Sequence, residues 1–163
     1  MSAAQGSGRV GVGVVGAGTI SNQYLQNMTS FPDLDVRFVA DLDVDRARAR
    51  AEEFGVAAGG DVEQLLADDG VEIVVNLTVP AAHAEVATRA LEAGKHVWNE
   101  KPITTDTASA GELLALAERV GRRVATAPDT FLGAGLQSAL RLVAAGRIGP
   151  PLSAHSMMLS PGP

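Results

Sequence analysis

The sequence predicts an α/β fold: a doubly wound, mostly parallel sheet covered by helices on both faces. Three observations carry this. Short apolar runs alternate with helix-length segments along nearly the whole chain, and within the runs polar and apolar residues do not alternate, as expected of strands buried on both faces. A glycine-rich turn joins the first run to the first helical segment, and the second run closes on an acid, Asp41.

The elements follow in order. Val10 to Val15 is apolar or glycine throughout and forms a buried strand. A helical segment carrying Ile20, Tyr24, Leu25 and Met28 ends at Phe31-Pro32-Asp33, and Val36 to Ala40 is the second strand. DVDRARARAEEFG forms a helix with acids in its first turn and Gly55 at its end; Asp43 and Asp45 are best explained as helix-terminal acids. Asp61 to Leu66 is a short helix and Glu72 to Leu77 a third strand. Ala81 to Ala93 is helical, with Val86, Ala90 and Leu91 on one face, and His96 to Asn99 is the fourth strand. Thr105 caps a helix reaching Val120, which Gly121 stops; Arg123 to Ala127 is the fifth strand, and Gly135 to Ala145 a last helix. Leu152 begins like another strand, but the sequence stops in SPGP. The expected organisation is a leader at 1–8, a dinucleotide-binding domain at 9–128, and at 129–163 a crossover helix and the start of a second domain cut short.

Composition narrows the function classes. The chain has 163 residues, 46% of them hydrophobic, enough for one substantial core without cross-links, and it has no cysteine. Its net charge of −6 is concentrated in the acidic stretch 41–72, and no basic cluster marks a nucleic-acid footprint. No run reaches membrane-spanning length, and MSAAQGSGRV lacks the apolar core of a secretory signal, so a soluble, cytoplasmic protein is expected.

The turn Gly16-Ala17-Gly18-Thr19-Ile20-Ser21 is G-x-G-x-x-G with serine last. The first glycine makes the tight strand-to-helix turn. The second lets backbone approach a pyrophosphate, which rests on the free N–H groups of Thr19 and Ile20 opening the helix. Serine is small enough for the helix–strand contact of the third. Asp41, closing the next strand, accepts hydrogen bonds from the adenine-side ribose and would repel the 2′-phosphate of NADP. NAD is therefore expected over NADP, with Arg46 the nearest cation able to compensate. The sequence lacks the GK[ST] of a nucleotide-triphosphatase loop.

Ligands of open parallel sheets sit beyond the carboxyl ends of the strands, which draws attention to Asn76-Leu77-Thr78-Val79-Pro80 and Asn99-Glu100-Lys101-Pro102. Pro80 ends the strand and opens the next helix. His83 then lines the nicotinamide side or caps the helix. Of only two lysines, Lys95 lies at the far end of its strand, where a solvated role is natural, and Lys101 lies at the ligand end. There it is either a surface charge paired with Glu100 or a contact that orients a substrate hydroxyl and stabilises alkoxide charge.

VGVVGAGTIS, VVNLTVPAAHAEVATRALEAGKHVWNEKP and RLVAAGRIGPP together resemble the glucose–fructose oxidoreductase, inositol dehydrogenase and rhizopine-catabolism (Gfo/Idh/MocA) family over almost the whole chain. The resemblance implies an NAD(P)-binding Rossmann domain, normally followed by an α/β domain that supplies much of a sugar or polyol pocket and often a homo-oligomer interface. It implies that Lys101 contacts substrate and cofactor, that Pro102 shapes the turn presenting it, and that Val79-Pro80-Ala81-Ala82-His83 borders the cofactor. Ala127 to Phe131 matches the nicotinamide-side position after the fifth strand, although the family often has an asparagine and an arginine-phenylalanine pair there. The family's catalytic aspartate and histidine fall in the second domain and have no counterpart here; His155 lies too early. The expected function is the NAD(P)-binding portion of an oxidoreductase of sugars, polyols or related hydroxy compounds, without efficient turnover by itself. The alternative is a non-catalytic, regulatory dinucleotide-binding module. No metal site is expected.

Overall fold

A computed structural model describes residues 8–128, 130–157 and 159. Most of the expected leader, Asp129 and the final SPGP lie outside the described residues. The chain divides into two compact units, one ending at Ala127 and one beginning at Pro128.

The first unit is built on one sheet of six parallel strands in the order β3-β2-β1-β4-β5-β6. These are β1 (Val10–Val15), β2 (Leu34–Ala40), β3 (Ala58–Gly60), β4 (Ile73–Asn76), β5 (His96–Asn99) and β6 (Val124–Thr126). The helices between them are α1 (Thr19–Met28), α2 (Val44–Glu53), α3 (Val62–Ala67), α4 (His83–Glu92) and α5 (Thr107–Val120). The order reverses beside β1, because the chain moves outward through β2 and β3 and then returns to pair β4 on the other side of β1. A crevice opens at such a switch point, beyond the carboxyl ends of the strands.

Apolar runs bury on both faces of the sheet. One core cluster joins Val15, Phe38, Val74 and Val97 to Leu65, Leu91, Leu113 and Leu116. The other joins Val12, Val14, Val39 and Val75 to Leu25 and Met28 of α1. The carboxyl ends are level: Ala40 pairs with Val15, Val15 with Asn76, Asn76 with Asn99, and Asn99 with Thr126. Polar residues therefore end β4, β5 and β6 in one row.

Four expectations change. β3 is a sixth strand, invisible in the sequence because Ala58-Gly59-Gly60 has no apolar pattern; a Cβ on Gly59 would stand 2.7 Å from Arg48 Cα, so its bareness serves the approach of α2. The cap of α5 is Asp106, whose carboxylate accepts from Ser109 N–H at 2.9 Å, while Thr105 stands outside the helix. Lys95 is not solvated: it is 7% exposed and donates to the Asp68 carbonyl at 2.8 Å. That carbonyl lies in the turn between α3 and β4, over which the lysine folds at the amino-end rim of the sheet. Residues 151–157 carry no strand. Asp43 caps α2 as expected, and Asp61 caps α3 in a reciprocal box with Gln64.

The second unit holds a 3-10 turn at Thr130–Leu132 and α6 (Ala134–Ala144). Its apolar side chains, among them Leu136, Leu140 and Ile148, are exposed.

Candidate dinucleotide-binding site

A cleft of about 380 Å³ lies beyond β1, β2 and β4, and is lined by Gly16, Gly18, Thr19, Ile20, Asp41, Leu77 and Thr78, with Arg46 and Arg89 on its walls. Seven of the residues expected from the sequence to hold cofactor thus line one cavity.

Its floor is the glycine turn. Gly16 has φ +105°, and a Cβ there would sit 2.7 Å from the Leu77 carbonyl oxygen. The turn after β1 and the segment after β4 meet at this point, backbone to backbone. Gly18 differs: its φ is −73°, and a Cβ would find no atom within 4 Å. No neighbouring atom among the described residues requires glycine at 18, which opens onto free space. Gly18 is also the N-cap of α1 and leaves that helix without a side-chain cap. Helix-opening N–H groups without a cap favour an anion. Ser21 is fully buried and donates to the Gly18 carbonyl at 2.6 Å, holding the turn closed.

Asp41 sits at the cleft wall, 7% exposed. Its Oδ2 accepts from Ala17 N–H at 2.7 Å, and Oδ1 from Asp43 N–H at 3.0 Å and Arg46 Nη2 at 2.6 Å. Burial pushes this carboxyl up, but the bonds from Arg46, Asp43 N–H and Ala17 N–H outweigh it and hold Asp41 below the ordinary carboxylate value. Asp41 is ionised at neutral pH and fastened to the glycine turn.

The segments after β4 and β5 are tied together. Asn76, fully buried, accepts from Thr78 N–H at 3.2 Å and Thr78 Oγ1 at 2.6 Å, and donates to the His83 carbonyl at 3.2 Å. His83 is 0% exposed, with Nδ1 2.5 Å from the Pro102 carbonyl oxygen and Nε2 3.0 Å from that of Thr78. It neither lines the cleft nor caps its helix by side chain; it clamps the two loops from behind. Pro80 opens a 3-10 turn, Pro80–Ala82, and is exposed outside the cavity lining.

Glu100 does not pair with the Lys101 ammonium. Its carboxylate accepts from Tyr24 Oη at 2.7 Å and from Lys101 N–H at 2.8 Å. The Lys101 side chain is exposed and makes no ion pair among the described residues. It follows the row Asn76–Asn99–Thr126 and precedes Pro102 across a cis peptide bond.

Sequence reasoning included Asn76 in the segment after the third strand without giving it a role, and it missed Tyr24 and Arg89. Asn76 had a signal: IVVN and HVWN both close an apolar run with asparagine, and the two asparagines pair in register. Tyr24 and Arg89 had none, since their relation to the site depends on how α1 and α4 pack. The described residues contain no cluster of metal-ligating side chains and no helix long and apolar enough to cross a membrane.

Comparison with known proteins gives the same picture. The model of the Gfo/Idh/MocA oxidoreductases, described as an oxidoreductase family with an NAD-binding Rossmann fold, matches residues 10–127. Over 139 residues the chain is 34% identical to an uncharacterized oxidoreductase of Rhizobium meliloti, covering 84% of this chain and 42% of that protein. Over 147 residues it is 29% identical to an inositol 2-dehydrogenase of Salmonella typhimurium, covering 88% and 44%. Among solved structures, the 3-ketoreductase KijD10 of Actinomadura kijaniata, in complex with NADP, superposes with TM-score 0.81 at 32% identity, over 86% of this chain and 45% of that one. GenD2 from gentamicin A biosynthesis, in complex with NAD, gives TM-score 0.81 at 32% identity, over 85% and 40%. The chain thus spans less than half the length of each of these relatives. The parallel sheet with its glycine turn and the match from Val10 to Ala127 lead to one conclusion: the chain belongs to the Gfo/Idh/MocA oxidoreductase family, of which it carries the NAD(P)-binding Rossmann domain.

Proposed function

We propose that this domain holds a nicotinamide dinucleotide for hydride transfer to or from a sugar, a polyol or a related hydroxy compound. The single observation that carries the reading is the contrast within the glycine turn. Gly16 is glycine because Leu77 backbone crowds it, whereas Gly18 faces only the open cleft at an uncapped helix terminus. A pyrophosphate is the group such a place fits.

The roles follow from position. The N–H groups opening α1 at Thr19 and Ile20 receive the pyrophosphate. Asp41 receives the adenine-side ribose, and its charge favours NAD over NADP. Leu77 and Thr78 wall the route toward the nicotinamide, with Pro80 and Val79 at its edge. The cofactor supplies the hydride acceptor or donor. Lys101, exposed beyond β5, orients the substrate oxygen and stabilises negative charge developing on it. Glu100 acts through Tyr24 and the Lys101 N–H to fix the turn, and His83 acts as a positioning residue through the Thr78 and Pro102 carbonyls.

The acid–base group comes from outside the first unit. Neither histidine there is placed for proton transfer: His83 is enclosed, and His96, at the amino end of β5, accepts from Arg123 N–H at 3.0 Å. A general base has to reach the proton it takes. Turnover by these residues alone is therefore expected to be negligible.

NADH and NADPH titrations followed by fluorescence, on this chain and on Asp41→Ala, test the reading. Binding of NADH that weakens at least tenfold in the variant supports it. Failure of the folded wild-type chain to bind either dinucleotide overturns it.

A further inference from the structure

The middle of the glycine turn is held from outside the cleft on both sides. Ala17 is fully buried; its N–H donates to Asp41 Oδ2 at 2.7 Å, and its carbonyl accepts from Arg50 Nη2 at 3.4 Å. Arg50 stands in the last turn of α2, with its side chain 17% exposed. Nη1 of the same guanidinium reaches Asn22 Oδ1 on α1 and Glu53 Oε2 at 2.8 Å, and Cζ lies 6.0 Å from the centre of the Phe54 ring. Nε is buried without a partner among the described residues, so the two terminal nitrogens commit the side chain, Nη1 to the helices and Nη2 to the turn. Neither Arg50 nor Ala17 lines the cleft, whereas Gly18 does.

We propose that Arg50 is a positioning residue for the pyrophosphate: it fixes the plane of the Ala17–Gly18 peptide so that Gly18 N–H faces the phosphates beside the helix-opening N–H groups. The inference rests on the dinucleotide reading above and extends it to a residue that no cleft wall contains. The Ala17–Gly18 peptide is trans, and a trans peptide points its C=O and the following N–H in opposite directions. A carbonyl held toward α2 therefore turns Gly18 N–H away from α2. The restraint has to come from the carbonyl side. Glycine is the residue whose backbone wanders most, and no atom stands within 4 Å of the place where a Gly18 Cβ would be. Asp41 holds the peptide before Ala17 and Arg50 the one after it, so the two peptides of the turn are fixed independently. A guanidinium is suited to the task because its planar fork serves the turn, α1 and its own helix at once. It also sets a positive charge behind a turn that receives an anion, and its ion partner Glu53 is 57% exposed to solvent.

The test reads NADH affinity by fluorescence, and ADP and adenosine affinity by displacement of NADH. The proteins are the wild-type chain, Arg50→Met, Arg50→Lys and Asn22→Ala, each first shown to melt cooperatively. Methionine keeps an apolar stem and removes every donor. Arg50→Met is expected to weaken NADH and ADP about 3- to 10-fold, the worth of one hydrogen bond, and to leave adenosine, which carries no phosphate, unchanged. Arg50→Lys keeps a charge without the fork and is expected to lose the same two ligands by a smaller factor; it decides the matter if the methionine variant does not fold. Asn22→Ala frees the guanidinium from α1 but leaves its hold on Ala17, and is expected to change none of the three. Equal losses of ADP and adenosine in the Arg50 variants would mean general loosening of α2 and overturn the proposal. Wild-type ADP affinity in both Arg50 variants overturns it too, as does an Asn22→Ala protein that loses ADP as Arg50→Met does. A wild-type chain that binds neither NADH nor ADP would instead sink the parent reading.

Discussion

Replacing each glycine of the turn by alanine separates what the fold requires from what the ligand requires. At Gly16 an added Cβ lies 2.7 Å from the Leu77 oxygen and 3.0 Å from Thr78 N, both backbone atoms, on a residue with φ +105°. Strain at such a φ costs about 1–3 kcal/mol, and forcing backbone apart adds about 1–3 kcal/mol. Gly16→Ala is therefore expected to lower stability by about 2–6 kcal/mol, a fall in Tm of about 5–20 °C at this chain length. At Gly18 the backbone is extended and the methyl meets nothing within 4 Å. Only the N-cap preference is lost, about 0.5–1 kcal/mol, which moves Tm by about 1–4 °C. Yet that methyl stands where the pyrophosphate has to approach, so NADH affinity is expected to fall about tenfold or more, equivalent to about 1.4 kcal/mol. Calorimetry and NADH fluorescence on both variants read the two quantities separately. A folded Gly18→Ala with wild-type affinity would show that no dinucleotide rests on this turn. A Gly16→Ala protein melting with the wild type would show that the contact with Leu77 is soft and not a constraint.

Asp41→Asn probes the linkage. Because the folded Asp41 titrates below its ordinary value, its contribution is complete above the unfolded value of about 3.9 and is lost as pH falls through the folded one. Tm of the wild type should therefore fall more steeply between about pH 5 and 2 than that of the variant. Asp106 and Glu63 are shifted the same way in both proteins and drop out of the difference; equal slopes would refute the assignment. His83→Ala removes a buried ring whose two nitrogens face the Pro102 and Thr78 carbonyls and leaves those buried carbonyls without it, which should cost about 2–5 kcal/mol, read by urea unfolding; a change under about 0.5 kcal/mol would dismiss the clamp. Lys101→Ala should leave Tm within about 1–2 °C, since no ion pair holds the ammonium among the described residues, while abolishing most turnover in a chain that includes the remaining length of its relatives. Retained turnover there would remove Lys101 from the substrate.

What the sequence disclosed was whatever is local. The glycine turn, Asp41 and the strands ending at Asn76 and Asn99 are each set by neighbours a few residues apart: an apolar run, a turn residue, a cap. β3 escaped because a strand of Ala58-Gly59-Gly60 is chosen by its partner, β2, and by the pressing helix α2 rather than by its own pattern. Lys95 was misplaced for the same reason, its burial depending on a carbonyl 27 residues away. The capping error at Thr105 is of another kind: both Thr105 and Asp106 suit an N-cap, and the hydrogen bonds from Ser109 to Asp106 decide between them by one residue. His83 was expected to line the cleft or cap its helix, and its enclosure was illegible because Pro102 reaches it from 19 residues further on.

That last contact bears on how a lone lysine is presented. An ammonium paired with a carboxylate is well placed but occupied; an unpaired one is available but mobile. Here the restraint falls on the backbone around Lys101 and not on its side chain. Glu100 grips the Lys101 N–H and is itself anchored to Tyr24 on α1, the helix that opens on the glycine turn. On the other side Pro102 is held through His83 to Thr78, and Thr78 to Asn76 at the end of β4. The segment after β4 and the turn bearing Lys101 are thus fixed to one another by hydrogen bonds and one carboxylate, leaving the ammonium without an ion-paired anion among the described residues. Such an arrangement holds a cation in place at small entropic cost while keeping its charge for whatever oxygen arrives. It also predicts that Glu100→Gln, which still accepts from Lys101 N–H, should disturb substrate turnover far less than Lys101→Ala, and a reversed order of those effects would mean that the carboxylate itself does the chemistry.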